Sequence, residues 1–192
     1  MYEVEQPSLR ERKKMRTRET VLREAFRLFE TNGYANTTVE QIARAADVSP
    51  RTFFRYFPSK ESLLVSDRCV EPICTAFKAA PAELSPAAAY RHALMHVFGT
   101  MDRDELDFMT ARQHLMYTMP DVKGALYDEY IHSMRALAEA VAVRLNRPRE
   151  DPIVPVVAGA ITGVMMATAD ESPLASDAVL LALDLLDKGL PE

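Results

Sequence analysis

Arg51, Thr52 and Arg55 fall within about a hundred degrees of one another on a helical wheel, and Phe53 and Phe57 fall on the opposite side. A helix anchored by aromatics on one face and showing guanidinium and hydroxyl groups on the other suits the DNA major groove. Arg makes bidentate bonds to guanine there, and Thr meets a base edge or a thymine methyl. Tyr56 flanks the polar face, and an exposed helix N-terminus favours phosphate oxygens. The same pattern also fits a plain pair of short helices with a solvated surface, because two helices and a turn carry little specificity alone.

The elements that must hold these residues are written into Thr37 to Leu64. Thr37 with Glu40 and Thr38 with Gln41 are two capping-box patterns, so a helix starts beside Thr38. Ile42, Ala43 and Ala46 share one face of it, the run stops at Asp47, and Val48 plugs the turn. Ser49 is a second N-cap, and Pro50 sits at a first helical position, where its missing N–H costs nothing. Upstream, Leu22, Ala25, Phe26 and Phe29 form an apolar stripe that Thr31-Asn32-Gly33 ends, Gly33 being a left-handed cap. Ser8 and Glu11 form one more capping box at the start of that helix. Arg10, Arg12, Lys13, Lys14, Arg16 and Arg18 crowd its first turns, a run that reads as a solvated tail or, beside a reading helix, as a contact to nucleic acid.

From Thr17 to Leu64, about a quarter of the chain, the sequence resembles the DNA-binding domain of the TetR family of bacterial transcriptional regulators. The features that carry the resemblance are Phe29, Gly33 and Tyr34, then Thr37 to Ala43, Val48-Ser49, and Tyr56-Phe57 through Lys60 to Leu63. It implies that Thr38, Tyr56 and Lys60 contact phosphates and that Pro50, Arg51 and Thr52 approach bases. The sequence departs from the family pattern at Arg51, where Gly is common, and at Phe54, where Tyr is. The first adds an arm able to read a base, and the second removes a hydroxyl. With the residues around them, the expected DNA-contacting set is Arg16, Arg18, Thr37, Thr38, Ser49, Pro50, Arg51, Thr52, Arg55, Tyr56 and Lys60.

The net charge of −5 looks wrong for a DNA binder until it is divided. Residues 1–64 carry 12 Lys+Arg against 9 Asp+Glu, and residues 65–192 carry 11 against 19. A basic end can meet the polyanion while an acidic body discourages binding through the wrong face. The N-terminus reads as polar, without a signal peptide, so a cytoplasmic location is expected. Cys69 and Cys74 match neither a metal pair nor a Cys-x-x-Cys motif and read as small buried hydrophobes, with thiol sensing as the alternative.

Ser59 caps a further helix that the apolar spacing carries to about Ala80; in the family this helix links the two domains. From Pro86 onward the periodicity predicts helices over 86–101, 104–117, 121–146, 151–170 and 174–189. In the third, Leu126, Tyr130, Met134, Leu137, Val141 and Leu145 step along one face. The fourth is free of charge from Ile153 to Ala169, too short and too rich in Ala, Gly and Thr for a membrane span, so it reads as a buried helix. Gly159, Gly163 and Ala167 form a smooth stripe on it, and Val179, Leu180, Leu183, Leu186 and Leu190 make the last helix broadly apolar. Two such helices imply a partner, and the resemblance implies a four-helix homodimer interface. The expected interface set is Gly159, Gly163, Ala167, Val179, Leu180, Leu183 and Leu186.

Eight of the ten methionines lie between Met95 and Met166, which suits either an adaptable apolar pocket or ordinary core filling. The candidates for a ligand pocket are Met95, Phe98, Phe108, Met109, Arg112, Tyr117, Tyr130 and Met134. Arg112 shares a helix face with Phe108 and Leu115; it either binds an acidic ligand head or pairs with Asp107, Asp128 or Glu129. His92 and His96 stand one turn apart, but no third ligand accompanies them, so no metal is expected and no cofactor.

The sequence therefore predicts an all-α chain. Residues 1–58 are expected to form a helix-turn-helix DNA-binding domain, 59–80 a linking helix, and 81–192 a helical domain for ligand binding and dimerisation. The resemblance implies a homodimeric, ligand-responsive regulator, a repressor acting on double-stranded DNA at a palindromic operator, with an unidentified small-molecule ligand and no membrane. An all-helical enzyme and a protein-interaction module are the alternatives; no Gly-rich phosphate loop, nucleophile elbow or Cys–His zinc pattern points to catalysis.

Overall fold

The computed structural model describes residues 8–64, 69–118, 123–169 and 176–189, and among them every regular element is helical. The chain divides into two compact units, Met1–Leu64 and Val65–Glu192.

The first unit holds α1 (Leu9–Asn32), α2 (Val39–Ala45), α3 (Pro50–Tyr56) and a 3₁₀ turn at Glu61–Leu63. Gly33 ends α1 with φ +81°, and its N–H donates to the Phe29 carbonyl at 2.9 Å. Val21, Leu22, Ala25, Phe26 and Phe29 of α1 are buried, as are Ile42 and Ala43 of α2 and Phe53 and Phe57 at α3. The capping box at Thr38 and Gln41 forms in both directions: the Gln41 N–H donates to Thr38 Oγ1 at 3.2 Å, and the Thr38 N–H to Gln41 Oε1 at 2.8 Å. The Ser8–Glu11 pair expected at the start of α1 involves the Glu11 side chain, which lies outside the described residues.

Between α2 and α3 the chain turns at Asp47, which adopts φ +53°. This left-handed conformation falls on a short polar residue that tolerates it. The Val48 N–H returns to the Ala43 carbonyl at 2.9 Å. Ser49 Oγ then accepts the Thr52 N–H at 3.1 Å, and Pro50 follows at the first position of α3.

The second unit contains α4 (Val70–Ala79), α5 (Pro86–Gly99), α6 (Arg103–Thr118), α7 (Lys123–Leu145), α8 (Ile153–Ala169) and α9 (Asp177–Lys188). The five predicted stretches from Pro86 onward are found within a few residues of their expected ends. Before them, Ser59 Oγ accepts the Ser62 N–H at 3.3 Å beside the 3₁₀ turn. Pro72 sits in the first turn of α4, where its missing donor is tolerated. Residues 65–68, which the expected linking helix would cross, lie outside the described ones.

α4 packs on α5 and α7, α8 lies between α7 and α9, α5 also meets α9, and α6 rests on α7. The shared core includes Phe77, Leu94, Val141, Val154, Ile161 and Leu183. Arg144 near the end of α7 ties this arrangement together. Its guanidinium donates to the carbonyls of Phe77 at 3.3 Å, Ala80 at 2.9 Å, Pro81 at 2.6 Å and Leu84 at 2.9 Å. Phe77 and Ala80 belong to the end of α4, where carbonyls lack helical partners, Pro81 and Leu84 to the loop beyond it, and a planar five-donor fork can serve several at once.

Two expectations about the C-terminal helices need correction. Val179 and Leu183 are fully buried in the unit's own core, because the face of α9 that carries them packs on α5 and α8. α8 is not buried all round: Val154, Ala158, Ile161 and Met165 face the core, while Val156, 65% exposed, and Met166 lie on the outside. No helix among the described residues is long and apolar enough to cross a membrane.

Candidate nucleic-acid interface and ligand cavity

In the first unit, Arg51 and Arg55 are exposed on α3, with the exposed Ser49 and Pro50 at its start and Thr52 half-buried beside them. The Ser49 and Thr52 hydroxyls bond to each other at 2.9 Å, so Thr52 is fixed by the cap that begins the helix. Arg55 stacks on its neighbour, with its guanidinium carbon 5.0 Å from the centre of the Tyr56 ring. Phe54, 51% exposed, stands on the same side of α3 as Arg51 and Arg55. Phe53 beneath is fully buried. The structure thus separates an anchoring face from a presenting face along one two-turn helix.

The remaining expected contacts divide. Thr38 and Arg16 are exposed. Arg18 is half-buried, its guanidinium carbon 5.3 Å from the centre of the Phe57 ring. Thr37 is corrected: it is 1% exposed, and its hydroxyl donates to the Gly33 carbonyl at 2.9 Å and the Leu28 carbonyl at 3.3 Å. Its capping-box pattern with Glu40 gives way to this inward role, because the neighbouring box at Thr38 already opens α2. Lys60 turns toward the same loop, donating to the Tyr34 and Thr37 carbonyls at 2.9 and 3.1 Å.

The second unit holds a partly open cavity of about 120 Å³. α4 contributes Cys69, Val70, Ile73 and Cys74, and α5 contributes Tyr90 and Leu94. α6 supplies Met109, Arg112, Gln113, Met116 and Tyr117; α7 supplies Leu126, Glu129, Tyr130, Ser133 and Leu137; α8 adds Thr162 and Met165. Arg112 is only 7% exposed, a cation held inside a largely apolar chamber. The Tyr117 and Tyr130 hydroxyls are hydrogen-bonded to each other across α6 and α7. Burial pushes the Tyr90 phenol well above its ordinary range, with the nearby Cys74 and Cys69 adding to the effect. Burial raises the Cys74 thiol in the same way. Both groups are therefore held neutral.

Of the pocket candidates, Met109, Arg112, Tyr117 and Tyr130 line this cavity. Met95, Phe98, Phe108 and Met134 do not. Met95 is exposed and its sulfur accepts from Arg91, while Phe98 is buried in the core. Met134 is half-buried and packs against that core. Phe98 follows Leu94 by one turn on the same face of α5 and is buried in the core rather than at the cavity, whereas Met95 lies on the exposed side of the helix. The thiols of Cys69 and Cys74, read as core filling, also belong to the cavity wall. His92 and His96 are both exposed, and no group of three metal-ligating side chains occurs among the described residues.

Comparison with known proteins places both units. Residues 21–66 match the family model for bacterial regulatory proteins of the tetR family, and residues 84–191 match the MftR C-terminal domain model. The HTH-type transcriptional regulator TcmR of Streptomyces glaucescens is 37% identical over 158 residues, covering 78% of this chain and 69% of its own. EthR of Mycolicibacterium smegmatis, another HTH-type transcriptional regulator, is 27% identical over 80% of this chain and 75% of its own. Among solved structures, the fold is similar to that of Thermus thermophilus FadR, a TetR-family repressor in complex with lauroyl-CoA. It has a TM-score of 0.54 at 24% identity, covering 91% of this chain and 95% of that one. SmeT, the repressor of a Stenotrophomonas maltophilia efflux pump, solved with triclosan, gives 0.55 at 21% identity over 88% of both chains. With family models over both units and a regulator 37% identical across most of its length, this chain belongs to the TetR family of bacterial transcriptional regulators.

Proposed function

We propose that the chain is a homodimeric repressor that binds a palindromic DNA operator in the cytoplasm and leaves it when a small molecule fills the cavity of the second unit. The observation that carries this reading is the pairing, in one chain, of a helix presenting Arg51 and Arg55 with a cavity holding the buried Arg112. One can read a sequence and the other can report a ligand. The chamber's mixed lining suits a small apolar or acidic-headed compound.

The dimer rests on α8 and α9. Ile153, Val156, Gly163, Met166 and Ala167 lie exposed along one side of α8, and Leu181, 60% exposed, and Leu185 lie exposed on the adjacent α9. A Cβ added at Gly163 or Gly159 would meet nothing within 4 Å in this chain. Such a smooth apolar surface on two neighbouring helices fits a second copy of itself, with Leu180 and Leu186 at its margin. A two-fold axis would place two α3 helices in successive major grooves, about 34–36 Å apart. The ligand must favour a spacing that misses the operator, since a ligand indifferent to both states shifts nothing. Selection from random DNA, with light scattering on the same protein, tests this: a two-fold symmetric site and a dimer mass support it, and a monomer or an asymmetric site contradicts it.

A further inference from the structure

Apolar Ile73, Leu94, Met109, Met116 and Met165 share the cavity lining with Arg112, Gln113 and Glu129. A ligand that fits this lining combines apolar surface with a polar group. Its size is limited as well. About 120 Å³ is close to the engineered apolar cavity of roughly 150 Å³ that accommodates benzene, so one six-membered ring fits.

The lining also speaks to ring type and charge. Met109, Met116 and Met165 all face the space, and thioethers gain more from aromatic than from aliphatic contacts. Among the described residues, the charged side chains lining the cavity are the Arg112 guanidinium and the Glu129 carboxylate, formally neutral together. An ionised ligand would add an uncompensated charge to an interior where charges are expensive. A hydroxyl both donates and accepts, and so can serve a wall that offers a cation and a carboxylate at once.

We propose that the cavity selects an uncharged single-ring phenol, its ring held between Leu94 and the methionines and its hydroxyl on the Arg112–Glu129 side. This rests on the regulator reading above and narrows the acidic-headed alternative within it.

The chain's two cysteines both line the cavity, which supplies a built-in reporter. The test follows thiol labelling of the full-length protein by a disulfide reagent, with 4-methylphenol compared against toluene, 4-methylbenzoate and octanoate. 4-Methylphenol should slow labelling saturably, by about tenfold at ten times its Kd. Toluene and the two carboxylates should bind at least about tenfold more weakly. Arg112→Met should abolish the preference for phenol over toluene. Met109→Trp, which keeps Arg112 and fills the ring space, should stop protection by every compound and guards against misfolding of the first variant. Stronger protection by octanoate or 4-methylbenzoate would overturn the proposal, as would labelling indifferent to all four. DNA binding measured on the same protein separates the two failures: operator binding with unprotected thiols rejects only the phenol, whereas protected thiols without DNA binding reject the regulator.

Discussion

The ammonium of Lys60 donates to the backbone carbonyl of Tyr34 at 2.9 Å and lies 4.0 Å from the centre of the Tyr34 ring. A second bond, to the Thr37 carbonyl at 3.1 Å, fixes the loop that leads into α2. Lys60 thus positions the start of the helix-turn-helix. Lys60→Met should lower the stability of the first unit by about 1–3 kcal/mol, the range for a hydrogen bond from a charged group. It should weaken binding to specific and random DNA alike. Thermal melts followed by DNA titration check this, and an unchanged melt would return Lys60 to the role of a simple phosphate contact.

Arg51 is exposed and its side chain is free of any structural duty seen in α3. Arg51→Ala should leave the melting temperature within the noise of surface substitutions, about 0.5 kcal/mol. It should cost about 1–3 kcal/mol of discrimination at one base pair of the operator. Binding to a panel of single-base operator variants reads this directly; a uniform loss across the panel would contradict it.

The anchoring and presenting faces of α3 were legible in the sequence because they depend on local rules. Ser49 and Pro50 set the start, and the spacing of Phe53 and Phe57 set the inward side. Thr37 was misread because two capping patterns overlap by one residue, and only the three-dimensional loop decides which hydroxyl caps and which turns inward. In the second unit the helices were legible, but which buried side chains reach the cavity was not. Leu94 and Phe98 share one face of α5 and only Leu94 lines the cavity, while Met95 lies outside with His92 and His96. Val179 and Leu183 were assigned to a partner for a related reason: an apolar face does not say whose core it enters.

Glu61 accepts from Tyr34 at 3.2 Å. A backbone hydrogen bond at its own turn lowers its carboxyl below the ordinary value of 4.5, and Ser59, Tyr34 and Lys60 act in the same direction against the opposing effect of burial. A carboxylate with a depressed folded pKa stabilises fully above its unfolded value and loses that contribution as the pH falls through the folded one. The wild-type protein should therefore lose stability on going from about pH 6 to about pH 3 more steeply than Glu61→Gln. Parallel slopes in melts across that range would count against a depressed Glu61 carboxyl in the folded protein.

Arg144 serves four carbonyls at the end of α4 and the loop beyond it, with its guanidinium carbon 5.5 Å from the centre of the Phe77 ring. Arg144→Ala should destabilise the second unit by about 3 kcal/mol, since several part-buried acceptors lose a charged donor together. Arg144→Lys should recover little, because a single ammonium cannot match the planar fork. Denaturant unfolding of the three proteins decides the matter, and full rescue by lysine would refute the argument from geometry.

Val156 and Leu181 stand exposed on α8 and α9. Val156→Glu should convert the dimer to monomers while preserving helicity, as a charge at the centre of an apolar interface is costly. Light scattering and circular dichroism report the two quantities. An unchanged dimer mass would move the interface elsewhere.

The central claim is sequence-selective DNA binding by the face that Arg51 and Arg55 present. Fluorescence anisotropy on DNA from the chain's own upstream region, against a scrambled duplex and across a salt series, tests it most directly. Tight binding to the first, weaker binding to the second, and a steep loss of both with salt are expected. Equal affinity for the two duplexes, with selection from random DNA also yielding no preferred site, would contradict it.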